Sequence, residues 1–456
     1  MYLCPPQLIL LIMNRRDFLK RTAAGTSLMA VSGIEAQAGK RKVKKVETRL
    51  PAEGYLREPA REIPVVASAD VVVVGGGPAG FAAAIGAARQ GSSVVLLERH
   101  NHLGGLWTGG LVLPVLNTRG AGPDGSWTKV VCGISDDVCG RLFGMGMCIN
   151  EMNPMVDPEA CKYVLDEMCR EAGVKTIFFS TAADVVMSGS RIEAVVIECK
   201  SGRLAVRGRM VVDCTGDGDV MAWSGVGFRE IKYHIGLLAR MGNADRINTQ
   251  AEGFRAQDVG GATPIPGVTM LHMRGEEEQD GLDVLNLTRL QQKFRRQIWE
   301  RVQNIKSKPG YEKVFLLETA PQLGVRVTRA LDAVHTVTLE ESMTRTVFPD
   351  AIGMSGASDP IPYRGGVVKG VDRPVWQIPY RALLPRGCDN LLVAGRCFGF
   401  EEGLAWDARE IGTCFVTGQA AGTAAAMATK SRCSAAEVDV EKLRGELRRQ
   451  KVTLAV

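Results

Sequence analysis

The sequence has 456 residues, of which 45% are hydrophobic and 23% are charged. This balance is typical of a globular protein with a large apolar core, and it excludes a disordered chain or a minimal disulfide scaffold. The net charge of +6 is too small to indicate a nucleic-acid-binding surface, so no nucleic-acid partner is expected. The 52 glycines stand out, because average usage of about 7% would give about 32.

The N-terminal residues carry a targeting pattern. One segment, Asn14-Arg15-Arg16-Asp17-Phe18-Leu19-Lys20, is similar to the twin-arginine export signal. Further along, Ala36-Gln37-Ala38 has the spacing of a cleavage site. We expect a signal peptide over residues 1–38, a linker over 39–65 and a periplasmic or otherwise extracytoplasmic protein. The alternative is a cytoplasmic protein with a basic amphipathic start. The apolar run 8–13 is too short to cross a bilayer, so no stable membrane span is expected.

The cysteines give no sign of a metal site. Removal of residues 1–38 takes Cys4 away and leaves an odd number of cysteines, which cannot all pair within one chain. The group from Cys132 to Cys169 has no C-x-x-C spacing for zinc, iron–sulfur or haem. We therefore expect small buried apolar residues and no metal, with any disulfide pairing left open.

The first motif of the mature chain has the order strand, glycine turn, helix. The β-branched run 71–74 leads into Gly75-Gly76-Gly77-Pro78-Ala79-Gly80, and a slim alanine-rich helix follows over 81–90. Gly75 permits the turn, Gly77 lets a pyrophosphate approach the backbone, and Gly80 lets the helix pack closely on the strand. This arrangement predicts a Rossmann-like dinucleotide site.

A second strand over 93–97 ends in Glu98, whose carboxylate is placed to accept both ribose hydroxyls of an adenosine. A further glycine cluster follows at Leu103-Gly104-Gly105-Leu106-Trp107-Thr108-Gly109-Gly110. Glycine there indicates backbone lying against a large flat ring, although NAD and FAD both remain open at this point.

The combination of Glu98 with Gly104-Gly105, Thr108 and Gly109 resembles the FAD-dependent oxidoreductase family of two-dinucleotide-binding-domain flavoproteins. Their FAD-binding fold is glutathione-reductase-like. A β-meander is predicted by strands at 176–179, 183–188, 191–200 and 203–212. It feeds Asp213-Cys214-Thr215-Gly216-Asp217-Gly218-Asp219, which resembles the family's second FAD motif. The alternative, a calcium loop, lacks the EF-hand spacing.

Two further blocks are similar to the family. Pro321-Gln322-Leu323-Gly324-Val325-Arg326-Val327-Thr328-Arg329 resembles the block that places paired arginines near the active site. Leu391-Leu392-Val393-Ala394-Gly395-Arg396 and a slim helix over 412–427 resemble the C-terminal block. The resemblance covers about 71–427 and implies that FAD is bound by Gly75, Gly77, Pro78, Ala79, Gly80, Glu98, Arg99, Gly104, Gly105, Thr108, Gly109, Ala183, Thr215, Gly216, Asp217, Gly395, Arg396 and Gly422.

The candidate catalytic residues are Arg326, Arg329, Glu402 and Arg409, since each follows or lies within a block expected to reach the flavin. The alternative is a structural role for these residues. Arg326 and Arg329 would each be an ion-pair partner, and Glu402 would form a salt bridge with Arg409. His234, His272 and His335 are weighed as structural. His100 and His102 lie just before Gly104-Gly105, where some related flavoproteins attach FAD covalently through a histidine, so covalent attachment stays open.

The blocks predict an α/β protein with a discontinuous FAD-binding domain over 66–107, 174–226 and 316–430. We also expect an inserted α+β substrate domain over 108–173 and 227–315, and a C-terminal helix over 431–456. No C-x-x-x-x-C follows Glu98 and no second glycine fingerprint appears, so neither disulfide reduction nor an NAD(P)H domain is indicated.

The predicted function is hydride transfer between a small organic substrate and flavin N5, with an external electron donor or acceptor as a partner. An electron carrier without its own substrate pocket and an NAD-dependent dehydrogenase are the alternatives. The substrate, the direction of reaction and the oligomeric state are left open.

Overall fold

In the computed structural model, the described residues are 50–52, 54–271, 275–356 and 374–456, with two short strands at Pro362–Tyr363 and Gly366–Val367. The predicted signal peptide, the predicted linker as far as residue 49, and His272 lie outside the described residues.

The helices and strands are numbered along the chain. The described helices are α1 (Pro78–Arg89), α2 (Ile134–Gly144), α3 (Pro158–Glu171), α4 (Asp219–Trp223), α5 (Val284–Lys306), α6 (Leu339–Met343), α7 (Ala405–Ala408), α8 (Ile411–Ser431) and α9 (Val440–Arg449). The described strands are β1 (Val65–Val74), β2 (Val94–Leu97), β3 (Arg119–Ala121), β4 (Trp127–Lys129), β5 (Cys148–Ile149), β6 (Met155–Val156), β7 (Lys175–Ile177), β8 (Thr181–Ser188), β9 (Arg191–Cys199), β10 (Gly202–Asp213), β11 (Phe228–Glu230), β12 (Tyr233–Gly236), β13 (Ala239–Gly242), β14 (Gly261–Ala262), β15 (Thr269–Leu271), β16 (Glu276–Gln279), β17 (Phe315–Thr319), β18 (Gly324–Val325), β19 (Arg329–Leu331), β20 (Ala351–Ser355), β21 (Pro362–Tyr363), β22 (Gly366–Val367), β23 (Trp376–Pro379) and β24 (Leu391–Val393).

The main sheet combines a parallel part with a meander. Its order is β7-β2-β1-β10, and β10 pairs further with β24 and with β9, which pairs with β8. Strands β7, β2, β1, β10 and β24 run parallel, and β9 runs antiparallel to both of its neighbours. This mixed sheet, with helices on it, confirms the α/β class.

One strand lies elsewhere than the sequence predicted. The strand expected at 176–179 was assigned to the meander, but Lys175–Ile177 pairs in parallel with β2 at the opposite edge of the sheet. A parallel partner needs a crossover connection, and α3, which ends at Glu171, supplies it directly before this strand. The meander therefore consists of β8, β9 and β10.

The valine run of β1 is buried on both faces of the sheet. Val71 and Val73 contribute to the apolar cluster that includes α1 and α8, whereas Val72 and Val74 contribute to the cluster formed with the meander. Side chains alternate along a strand, so a strand that is covered on both sides reads as an uninterrupted apolar run. The same helix-side cluster holds Val138 of α2 and Leu165 of α3, within the predicted insert 108–173.

Helices α1 and α8 pack unusually closely, and glycine makes this possible. A Cβ atom on Gly422 would lie 1.9 Å from the carbonyl oxygen of Ala83, and one on Gly418 would lie 2.1 Å from that of Ala79. From the other helix, a Cβ on Gly86 would lie 2.9 Å from the carbonyl oxygen of Gln419. The glycines of each helix thus lie against backbone atoms of the other helix.

A third apolar cluster is formed mainly by residues 235–320, together with Leu111 and Leu113, and contains the inner face of α5. Sheets β14-β15-β13-β17 and β16-β12-β18 belong to this part of the chain. The buried face of α5 has the three- and four-residue spacing of an amphipathic helix, with Leu290, Phe294, Ile298, Val302 and Ile305. The domain boundaries predicted from the sequence stay a prediction.

Residues 276–306 form a short strand followed by the long helix α5. Glu276–Gln279 is a strand paired with β12, and α5 begins after Asp283, whose carboxylate accepts the N–H groups of Leu285 and Asn286 at 2.9 and 3.1 Å. An aspartate at this position satisfies donors that have no partner inside the helix, so it sets the helix start.

The chain ends on α9, whose Leu443 and Leu447 are buried while its charged residues face outward. This amphipathic helix lies within the terminal segment where the sequence predicted one. In the part of the chain that the structure describes, no helix has the length and apolar character needed to cross a membrane.

Candidate active site

Segments from four parallel strands meet at one edge of the main sheet. The residues Gly75, Glu98, Cys214 and Gly395 follow β1, β2, β10 and β24 closely at their carboxyl ends. In open α/β sheets ligands bind outside these ends. A cavity of about 670 Å³ lies there, lined among others by Gly75, Gly77, Pro78, Ala79, Glu98, Arg99, His100, Gly105, Trp107, Thr215, Gly216, Asp217, Asp219, Leu237, Leu238, Met270, Leu282, Gln322, Arg326, Gly395, Arg396, Trp406, Arg409 and Glu410.

The glycine turn before α1 leaves the helix N-terminus open to this cavity. Gly75 has φ of +97°, and a Cβ there would lie 2.4 Å from the carbonyl oxygen of Cys214. Gly77 directly precedes α1, and no side chain accepts a hydrogen bond at this helix start. A Cβ atom built on Gly77 would have nothing within 4 Å. The first N–H groups of α1 thus face a space without side chains, which suits an anionic phosphate.

The carboxylate of Glu98 is held in place at the end of β2. It is buried, and it accepts the N–H groups of Gly76 at 2.6 Å and His100 at 2.7 Å, one on each oxygen. A carboxylate oxygen has more than one acceptor position, so capacity remains on the cavity side.

The turn after β10 is an acidic segment whose charges are paired within the protein. The carboxylate of Asp217 accepts from Arg396 Nη2 and from Thr328 Oγ1, each at 2.8 Å. Asp219 pairs with Arg329 at 3.1 Å, and burial is the main cause that raises the pKa of Asp219 to about 6. Among the described residues no cluster of His, Cys, Asp and Glu could hold a metal ion.

Several predicted cofactor residues lie behind the cavity wall. Gly80 packs on the turn, since its Cβ would lie 1.7 Å from the carbonyl oxygen of Gly75, and Gly422 packs on α1. Thr108 Oγ1 donates to the Leu103 carbonyl at 2.6 Å. Three more predicted residues lie outside the lining. A Cβ atom on Gly104 would meet Thr108, and one on Gly109 would meet Gln322 and His102. The third residue, Ala183, lies in β8.

The predicted catalytic residues fall into two groups. Arg326 and Arg409 line the cavity. Arg329 is buried outside the lining, where it pairs with Asp219 and lies over the ring of Phe228 at 5.3 Å. Glu402 is exposed and is not part of the lining. The guanidinium of Arg409 pairs with the neighbouring Glu410 at 3.0 Å.

Glu410 is the lining carboxyl that sequence reasoning missed. It is the residue before α8 and is buried beside Arg409. Burial is the main cause that raises the pKa of Glu410 above its ordinary value, and Arg409 acts in the opposite direction. Its place at the start of the predicted slim helix was the signal that could have identified it, because the N-terminus of that helix was already expected at the flavin.

Comparison with known proteins assigns the chain to a family. Residues 70–234 and 232–447 match the family described as FAD dependent oxidoreductase. The chain belongs to this family. FAD is therefore its cofactor, and the protein is an FAD-dependent oxidoreductase. The open turn at Gly77, the uncapped start of α1 and the buried carboxylate of Glu98 fit the phosphates and adenosine of that cofactor.

Two curated relatives of this FAD-dependent oxidoreductase match over part of their length. Digeranylgeranylglycerophospholipid reductase of Methanocella arvoryzae is 25% identical over 34% of this chain and 42% of its own. Thiamine thiazole synthase of Methanococcus aeolicus is 28% identical over 32% of this chain and 54% of its own. The chain thus spans about half the length of these relatives. A solved geranylgeranyl bacteriochlorophyll reductase-like protein from Thermoplasma acidophilum is 15% identical, with a TM-score of 0.43 over 85% of this chain and 84% of its own.

Proposed function

We propose that this protein is an exported FAD-dependent oxidoreductase that transfers a hydride between a small organic substrate and flavin N5. The observation that carries this proposal is the lining of one cavity. The glycine turn, Glu98 and Gly395 share it with Arg326, Arg409 and Glu410. A dinucleotide site and a set of charged side chains suited to substrate chemistry therefore open into the same space.

The proposed placement of FAD follows the strand ends. Its adenosine would be held by Glu98, its pyrophosphate by the turn at Gly77 and the start of α1, and its ribityl chain by Gly395 and Arg396. When bound, the isoalloxazine supplies the redox chemistry, because its N5 accepts or returns a hydride. The protein supplies the binding, the orientation and the path for a proton.

Glu410 is our candidate for the proton-transferring group. An alcohol or amine that loses a hydride from carbon also loses a proton from oxygen or nitrogen, and a carboxylate at the cavity wall can accept that proton. Burial favours the neutral form and thus raises the pKa of Glu410, which brings it closer to the working range of a general base. Glu402, the candidate acid or base from the sequence, is exposed and outside the lining.

Glu410→Gln is expected to lower kcat for substrate oxidation by about 100-fold with FAD content unchanged, because the amide cannot accept the proton. In the parent enzyme, activity should fall as the pH drops through the raised pKa of Glu410, since the base works only when ionised. The variant should lack this acid limb. Steady-state kinetics against pH provide the measurement, and Glu402→Gln serves as the matched glutamate. A larger loss for Glu402→Gln than for Glu410→Gln would contradict this role.

An anaerobic screen of small metabolites tests the proposed reaction itself. A substrate should bleach the 450 nm region of the oxidised bound flavin or restore the absorbance of the reduced flavin. If no organic compound changes the flavin spectrum while a small redox protein does, the molecule is an electron carrier and the proposed reaction is wrong.

The proposed export rests on the resemblance at Asn14 to Lys20, outside the described residues. Replacing both Arg15 and Arg16 with lysine is expected to stop transport, because the arginine pair is the address of this pathway. Cell fractionation of the full chain measures it, with Arg21→Lys as the control. Equal amounts of both variants in the periplasm would contradict export by this route.

A further inference from the structure

The charged residues of the cavity wall are unevenly partnered. Arg396 pairs with Asp217, Asp219 pairs with Arg329, and Glu98 is held by backbone N–H groups. These groups are satisfied by the protein itself. Two further lining residues, Arg326 and Arg409, are called the arginine pair below, and Glu410 is the acid beside them.

Arg326 has no carboxylate of its own in the described part of the chain. Its Nη1 donates to the carbonyl oxygen of His234 at 3.2 Å, and no described carboxylate lies within ion-pair distance of its guanidinium. Burial, followed by the positive charge of Arg409, lowers the pKa of Arg326 to about 10. Its charge is thus held in a site that does not compensate it.

Arg409 is only partly satisfied. Its guanidinium lies over the ring of Trp406 at 4.7 Å, and its Nη2 is 3.0 Å from Glu410 Oε1. Its Nε is buried and has no hydrogen-bond partner among the described residues, nor does Trp406 Nε1. A buried donor without a partner is costly, so a ligand that accepts from it gains binding energy.

The nearby acids compensate only part of this positive charge. Burial is the main cause that raises the pKa of Glu410; Arg409 and Arg326 act in the opposite direction, and Asp407 adds to the rise. Asp407 accepts from Asn117 Nδ2 at 3.0 Å and is not part of the cavity lining. Two guanidinium groups therefore face the cavity with at most one carboxylate between them.

The same cavity has apolar walls outside the dinucleotide motifs. They are contributed by the part of the chain around β12, β15 and the start of α5, with Leu237, Leu238, Met270, Leu282 and Leu287. An occupant of this part meets aliphatic side chains on one side and guanidinium groups on another.

We propose that the arginine pair binds the carboxylate of the substrate, and that the substrate is an organic acid whose apolar body contacts Leu237, Leu238 and Leu282. The inference rests on the proposed function and names its substrate class. A guanidinium group binds a carboxylate through two parallel hydrogen bonds, and two such groups hold it in one orientation. Its reacting carbon would then be presented to the flavin in a defined position.

The test measures acid binding to the purified flavoprotein by calorimetry, with acetate, butyrate and benzoate each compared with its neutral amide. At least one acid should bind ten-fold or more tightly than its amide. Arg326→Met and Arg409→Met should each weaken that acid ten-fold or more while the amide affinity stays constant. Arg207→Met, an exposed arginine of β10, is the control and should change nothing. FAD content is determined on the same samples from the absorbance of released flavin.

If none of the three acids binds more tightly than its amide, or if both methionine variants keep the parent's acid affinity, the proposal is wrong. Loss of FAD with no change in acid affinity would assign the arginine pair to the cofactor and would also contradict it. Calorimetry measures the binding of the acid whether or not the flavin is reduced or oxidised by it. Acid binding without any flavin response to substrates would therefore leave the arginine pair supported and the proposed hydride transfer rejected.

Discussion

Gly422→Ala is expected to destabilise the protein by about 3 kcal/mol or more, at the upper end of the overpacking range. The added Cβ would lie 1.9 Å from the carbonyl oxygen and 2.6 Å from the Cα of Ala83, so backbone rather than a flexible side chain must move. Helix α8 would have to shift from α1, and Ile411 at its start lines the cavity. Weaker FAD binding should therefore accompany the lower stability.

The matched control is Gly140→Ala, within α2. A Cβ at Gly140 has nothing within 4 Å, and this glycine is exposed. The replacement should stabilise the protein by up to about 1 kcal/mol, because alanine favours the helix more than glycine does. Urea unfolding of the flavoprotein gives the free energy of unfolding of each variant. If Gly422→Ala unfolds at the same urea concentration as Gly140→Ala, the close contact of α1 and α8 is not as described.

Glu98→Gln is expected to raise the Kd for FAD by about 10- to 100-fold, which corresponds to about 1.4–2.8 kcal/mol. The amide places an NH₂ group against one of two N–H donors, Gly76 or His100, and removes the charge that strengthens hydrogen bonds to ribose hydroxyls. Fluorescence titration of the flavin-free protein with FAD measures the loss.

FMN provides the sharper comparison, because it lacks the adenosine that Glu98 is proposed to bind. Its affinity should be nearly equal in the parent and in Glu98→Gln. Glu193→Gln, an exposed glutamate of β9, controls for loss of a surface charge and should bind FAD normally. Equal losses of FMN and FAD affinity would show that Glu98 supports the glycine turn and not the adenosine.

The sequence was informative where local chemistry decides the structure. The valine run before Gly75 forms a buried strand, and the glycine turn and the slim helix α1 follow it in the predicted order. Glu98 was found because it ends a short apolar strand. Each of these features depends on neighbours in sequence, so each could be predicted.

The direction of side chains in irregular segments could not be predicted. Arg326 and Arg329 are separated by irregular residues between β18 and β19, and only Arg326 lines the cavity. Residues 401–410 contain two one-turn helices with no repeating pattern, which is why Glu402 was chosen and Glu410 was overlooked. The parallel position of Lys175–Ile177 likewise depends on a distant partner, β2.

One FAD per chain is expected in the cavity at the carboxyl ends of the parallel strands. Purified protein should absorb near 450 nm, and denaturation should release one FAD per chain, identified by chromatography and by its isoalloxazine spectrum. If denaturation releases an adenine nucleotide without isoalloxazine, or no cofactor at all, and the protein does not take up added FAD, the central claim is contradicted.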